Sequence, residues 1–114
     1  MHSKSILAIL FLIPFPMLTL ATEIRVKNGS DVDFKEVVVG GKAYGDIKPG
    51  AATEYQTWKK AYRYSSVTLK AGDKPLKIQP IDYVGETPLG DGKFSYILTI
   101  KDGRLEIKAE KDTK

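Results

Sequence analysis

The tightest constraint in the sequence is the dipeptide Asp102-Gly103, set between two alternating runs. Before it, residues 93–101 place Phe94, Tyr96, Leu98 and Ile100 on one face, with Ser95 and Thr99 on the other. After it, Leu105, Ile107 and Ala109 share one face and Glu106, Lys108 and Glu110 the opposite one. Period two is the signature of a half-buried strand. Asp-Gly accepts the positive φ that both central positions of a two-residue type I′ turn demand. The final third of the chain is therefore committed to a β-hairpin.

The preceding residues follow the same rule. Glu23-Ile24-Arg25-Val26-Lys27 alternates, so Ile24 and Val26 should face the core, and Asn28-Gly29-Ser30-Asp31 reads as a turn whose Asn and Gly tolerate positive φ. Phe34 to Val39 forms a second strand, broken by Gly40-Gly41 and resumed over residues 43–47. Lys48-Pro49-Gly50 is a further turn, because Pro presets φ at the first corner and Gly accepts the second. Gly72-Asp73-Lys74-Pro75 turns the chain into an alternating run over residues 76–80. Pro80 cannot donate to a ladder, so it belongs at a strand end or on an edge.

Residues 54–71 hold the only Trp, three of the six Tyr, and the basic group Lys59, Lys60 and Arg63. A strand near residues 53–58, a bend at Trp58-Lys59-Lys60-Ala61 and a longer strand over 62–71 fit this stretch. Tyr55, Trp58 and Tyr62 have helical spacing, but the flanking residues favour strands. In all, seven to nine short strands predict an all-β fold: an antiparallel β-sandwich, immunoglobulin-like or transthyretin-like, with a small barrel as the alternative.

The first residues read as a signal peptide. Lys4 gives a short positive region, residues 6–20 are almost wholly apolar, and Thr19-Leu20-Ala21 has the small-x-small form of a cleavage site. The apolar run is short for a membrane span and contains Pro14 and Pro16. No Cys is present, so lipid attachment at a cysteine is excluded. The expected organisation is a cleaved segment over 1–21, a β-sandwich domain over 22–110 and a disordered tail over 111–114. No transmembrane segment would remain after cleavage. Small exported eukaryotic domains usually depend on disulfides, so a Cys-free one points to a bacterial periplasmic or secreted protein. Loss of Lys4 takes the net charge from +4 to about +3, too weak an excess to argue for nucleic acid.

The sole His is His2, inside the segment expected to be removed. A mature domain without His or Cys has no Ser-His-Asp or Cys-His machinery and lacks the usual zinc, copper and haem ligands. Asp31-Val32-Asp33 and Asp82, Glu86 and Asp91 do not match a calcium loop, and no spacing singles out a carboxylate pair. The expectation is a non-enzyme that needs no cofactor and no metal.

Two candidate binding regions stand out. The first is Trp58, Lys59, Lys60, Arg63 and Tyr64, because aromatic residues with Arg bury large area at low entropic cost. Trp58 is equally suited to anchoring a sandwich core, and the lysines to an ordinary loop. The second is the loop with Asp82, Tyr83, Glu86 and Leu89, in which Tyr83 and Leu89 also suit plugs for one end of the core.

The order Tyr44-Gly45-Asp46-Ile47-Lys48-Pro49-Gly50, then Tyr62-Arg63-Tyr64, then Ile81-Asp82-Tyr83-Val84-Gly85-Glu86 resembles that of small, uncharacterised bacterial exported β-sandwich proteins. The resemblance implies fold and export and carries no catalytic residue across. The expected function is an exported, non-enzymatic binding or accessory module of the bacterial envelope, contacting a protein or an anionic glycan. The alternative is a periplasmic inhibitor of a hydrolase acting through residues 82–92.

Overall fold

The computed structural model describes residues 21–112. The expected signal segment lies outside these except for Ala21, as do Thr113 and Lys114 of the expected tail.

The described chain is all-β. Its strands are β1 (Thr22–Asn28), β2 (Phe34–Val39), β3 (Lys42–Ile47), β4 (Gln56–Trp58), β5 (Val67–Ala71), β6 (Lys74–Ile78), β7 (Gly92–Lys101) and β8 (Arg104–Lys111). They form two four-stranded sheets, ordered β4-β1-β7-β8 and β3-β2-β5-β6, packed as a sandwich. Every pairing is antiparallel except that of β1 with β7, which is parallel. That pairing joins distant parts of the chain, and no local turn signal announces it.

The core lies between the sheets. Ile24 and Val26 of β1 and Phe94, Tyr96 and Leu98 of β7 meet Phe34, Val37 and Val39 of β2 and Val67 and Leu69 of β5, all buried. Burying one such side chain is worth about 1.5–3 kcal/mol. The ion pairs, such as Lys48–Asp33 and Lys70–Glu36, are at the surface, where each adds about 0–1 kcal/mol. Packing therefore holds the sandwich together.

The local turns follow the sequence. Asp102 and Gly103 both have positive φ (53° and 77°), as a type I′ turn requires, and Lys101 pairs with Arg104. Gly40 at φ 58° begins the β2–β3 turn, where a Cβ would collide with the Trp58 ring. Close approach and conformation both require glycine there. Pro80 follows β6, an outer strand, as expected of a residue that cannot donate to a ladder.

Four expectations need correction. The long strand over 62–71 begins only at Val67. The backbone before it is engaged elsewhere: the Tyr62 carbonyl accepts from the Tyr96 hydroxyl at 2.5 Å, and the Ala61 carbonyl from the Leu89 N–H at 2.8 Å. Asn28 and Gly29 are not positive-φ turn residues, for Asn28 is a fully buried end of β1 and Gly29 packs closely on Ile97 and Thr99. Ser95 is buried rather than solvated, since Arg25 Nε donates to its Oγ at 2.8 Å and that Oγ donates to Asp112 at 2.7 Å. Finally, the tail does not fray from residue 111. Lys111 pairs with Phe94, and Asp112 accepts from Tyr55 and Ser95.

Candidate functional site

The strand registers place both candidate regions at one end of the sandwich. Thr22 begins β1 opposite Trp58 at the end of β4 and Gly92 at the start of β7. In the other sheet, Val67 begins β5 opposite Val39 and opposite Ile78 at the end of β6. Residues 59–66 and 79–91 therefore cross between the sheets at the same end, beside the Gly40-Gly41 turn.

A tyrosine stack joins the two crossings. Tyr83 lies on Tyr62 with ring centroids 4.7 Å apart and 10° between planes, and on Tyr64 at 5.3 Å and 25°. The backbone reinforces it. Tyr83 C=O accepts from Glu86 N–H at 3.0 Å to close a turn, and the Asp82 carboxylate accepts from Val84 N–H at 3.1 Å. Leu89 is tied to Ala61 through its N–H, and the Gly90 carbonyl accepts from the Thr22 hydroxyl at 2.5 Å. The loop is thus fastened at several points between Asp82 and Gly90.

What this fastening presents is apolar. Ile81 is 97% exposed and Val84 86% exposed, on either side of Asp82 and the stacked Tyr83. Leaving two aliphatic side chains in water forgoes the burial energy that a core position would supply; Ile81 and Val84 are, with Val32, the large hydrophobic residues exposed among the described residues. Sequence reasoning singled out neither residue. Ile81-Asp82-Tyr83-Val84 leads into the loop without a period that would mark Ile81 and Val84 as an exposed pair, and of its three large side chains only Tyr83 is taken up in ring contacts.

The other expected site residues divide. Trp58 is only 8% exposed and packs edge-on to Tyr96 at 5.7 Å, with its indole N–H donated to Tyr44. It is a core anchor and has no free ring face of the kind a sugar stacks on. Lys59 and Lys60 are exposed at the bend after β4, and Arg63 is exposed beside the 85–89 backbone. None of the three enters the ion pairs found among the described residues. Tyr64 and Glu86 are half-buried together. Burial first, and then the Glu86 carboxylate, hold the Tyr64 phenol above its ordinary pKa. Leu89 is half-buried against the core and Asp82 is exposed. Among the described residues, no group of three His, Cys, Asp or Glu side chains is placed to hold a metal ion.

No protein-family model matches this chain, and no curated protein is significantly similar to it.

Proposed function

We propose that this protein is an exported, non-enzymatic module of the bacterial envelope that binds another protein through the end of the sandwich formed by residues 59–64 and 79–91. The single observation that carries this reading is the pair Ile81 and Val84, exposed on a loop braced by Tyr62, Tyr64 and Tyr83. A preformed loop loses little conformational entropy on binding, and two aliphatic tips supply the apolar centre of a contact. Lys59, Lys60 and Arg63, exposed on the neighbouring crossing, add positive charge at the same end of the sandwich, suited to a partner with an acidic margin. Export rests on the N-terminal segment with Lys4, its apolar run and Thr19-Leu20-Ala21.

A protein partner is favoured over a glycan because the best platform for a sugar, Trp58, is withdrawn into the core, and the tyrosine rings are engaged with one another. The braced, apolar-tipped loop also supports inhibition of a hydrolase as a second reading, since an ordered plug resists rearrangement in a cleft. The test is recovery of a partner from the native envelope fraction by the tagged protein, followed by reconstitution with the purified partner. Binding should be lost with Ile81→Asp/Val84→Asp and weakened and made less salt-sensitive with Lys59→Ala/Lys60→Ala/Arg63→Ala. Undiminished binding by the Ile81→Asp/Val84→Asp variant overturns the assignment.

A further inference from the structure

β8 is an outer strand: β7 pairs one side of it, and no described strand pairs the other. The remaining outer strands are protected in the usual ways. β4 is three residues long, β6 carries Pro75 and two lysines, and β3 pairs with β2 across register shifts. β8 has eight residues in unbroken register, with neither Pro nor Gly.

The turn fixes which way its backbone faces. Lys101 and Arg104 close a two-residue hairpin as a hydrogen-bonded pair, and such pairs alternate along an antiparallel ladder. Glu106, Lys108 and Glu110 therefore bond to β7, while the N–H and C=O groups of Leu105, Ile107 and Ala109 point to the open edge.

The side chains on the solvent face of that edge are Arg104, Glu106, Lys108 and Glu110, all exposed and alternating in sign. This order is self-complementary in an antiparallel sense. With a two-fold axis at Ile107, Glu106 stands opposite the partner's Lys108 and Arg104 opposite the partner's Glu110, each twice. On the inner face Ile107 meets its own copy and Leu105 meets the smaller Ala109. Moving the axis to Glu106 or Lys108 still leaves edge-facing residues opposite one another, but it sets like charges opposite one another: Glu106 against its own copy and Arg104 against Lys108, or Lys108 against its own copy and Glu106 against Glu110. Charge, and not hydrogen-bond phase, thus favours the axis at Ile107 over those at its two neighbours, and it is the register that matches all four charged residues of that face.

We propose that β8 is a dimerisation edge, pairing antiparallel with β8 of a second copy about Ile107 to join the two β4-β1-β7-β8 sheets into one. The proposal is independent of the loop reading, which uses a different part of the molecule. The Lys108–Glu110 contact at 3.6 Å within one chain would be exchanged for the pairs between chains.

Sedimentation equilibrium of the purified protein, up to about 1 mM, tests it. The expected result is a dimer whose dissociation constant rises about tenfold or more with Glu106→Lys, which sets lysines opposite one another twice. The Glu106→Lys/Lys108→Glu double exchange should restore it, because the complementarity is only reversed. Ile107→Pro removes the edge-facing N–H without touching the β7 ladder and should give a monomer. Slow exchange of the Ile107 amide at high concentration, and fast exchange on dilution, locates the contact. A protein that is monomeric throughout overturns the proposal. So does a dimer indifferent to Glu106→Lys, or one not rescued by the double exchange.

Discussion

The Trp58 indole N–H donates to the Tyr44 hydroxyl at 2.9 Å, and that hydroxyl donates to the Ile24 carbonyl at 2.8 Å. Tyr44 lies on β3, in one sheet, and Trp58 and Ile24 lie on strands of the other. One phenol oxygen therefore fastens the two layers, using a donor and an acceptor that packing has removed from water. Tyr44→Phe keeps the ring but leaves the indole N–H and the carbonyl without this partner. Stability should fall by about 1–3 kcal/mol, read as a lower urea midpoint with an unchanged slope. Trp58→Phe should cost at least as much, because ring area is lost as well.

Asn28 is a second buried fastening. Its Nδ2 donates to the Val32 and Ile47 carbonyls at 2.8 and 2.9 Å, and its Oδ1 accepts from the Ser30 N–H at 2.9 Å. Every polar position of the amide is thus used, with the side chain fully buried. Asn28→Ala should cost about 2–4 kcal/mol. Asn28→Asp is the sharper experiment, for a carboxylate cannot donate to two carbonyls. Burial raises the pKa of such a group, so the Asp variant should be the less stable of the two at neutral pH and recover part of the difference as pH falls. Equal midpoints for the Ala and Asp variants across pH would show that the amide hydrogens are not what Asn28 contributes.

These two fastenings mark the boundary of what the sequence makes legible. Alternation and turn chemistry lead directly to the hairpin around Asp102-Gly103, to the break at Gly40-Gly41 and to the inward faces of residues 94–100 and 105–109, because these are local. The parallel pairing of β1 with β7 depends on residues about seventy apart in the chain and leaves no local mark. Asn28-Gly29 has the composition of a turn, and only the surrounding carbonyls make it a buried knot. Tyr62 and Tyr64 have strand periodicity but are taken up by Tyr83, so the strand starts late. The basic cluster and the loop could be named separately from sequence. Their convergence on one end of the sandwich follows only from the register of distant strands.

Asp112 predicts the acid behaviour of the C-terminal end. Burial opposes its charged form, but donation from Ser95 and Tyr55, with the Arg25 charge 3.4 Å away, outweighs that and holds the carboxyl below the usual aspartate range. A carboxyl depressed in the folded state adds stability at pH values above its unfolded pKa of about 3.9, and that stability disappears as pH falls through the folded value. Asp112→Asn should therefore lower stability by about 1 kcal/mol at pH 7 and by nothing in strong acid. The side chain is partly solvated, which keeps the effect small. Urea midpoints of wild type and variant, measured from pH 7 down to about pH 2, should converge below about pH 4. A constant gap would mean that the residue acts through its shape alone.

Tyr83 separates the order of the loop from its contact chemistry. Each stacked pair contributes about 0.5–1.5 kcal/mol beyond simple burial, and Tyr83 takes part in two. Because the ring is half-buried on a loop, Tyr83→Ala should release residues 79–91 locally while the sheets stay folded. Hydrogen exchange should accelerate at the Glu86 and Leu89 amides, which bond to Tyr83 and Ala61, and remain slow at the β7 amides. Tyr83→Phe keeps both stacks and should behave as wild type. Ile81→Asp/Val84→Asp should leave exchange unchanged, since both side chains already stand in water. If the loop binds as a preformed surface, Tyr83→Ala weakens the partner complex although every exposed side chain is retained, and Tyr83→Phe does not. If Tyr83→Ala frees the loop and affinity is unaltered, the bracing serves the fold, and Ile81 and Val84 act without it.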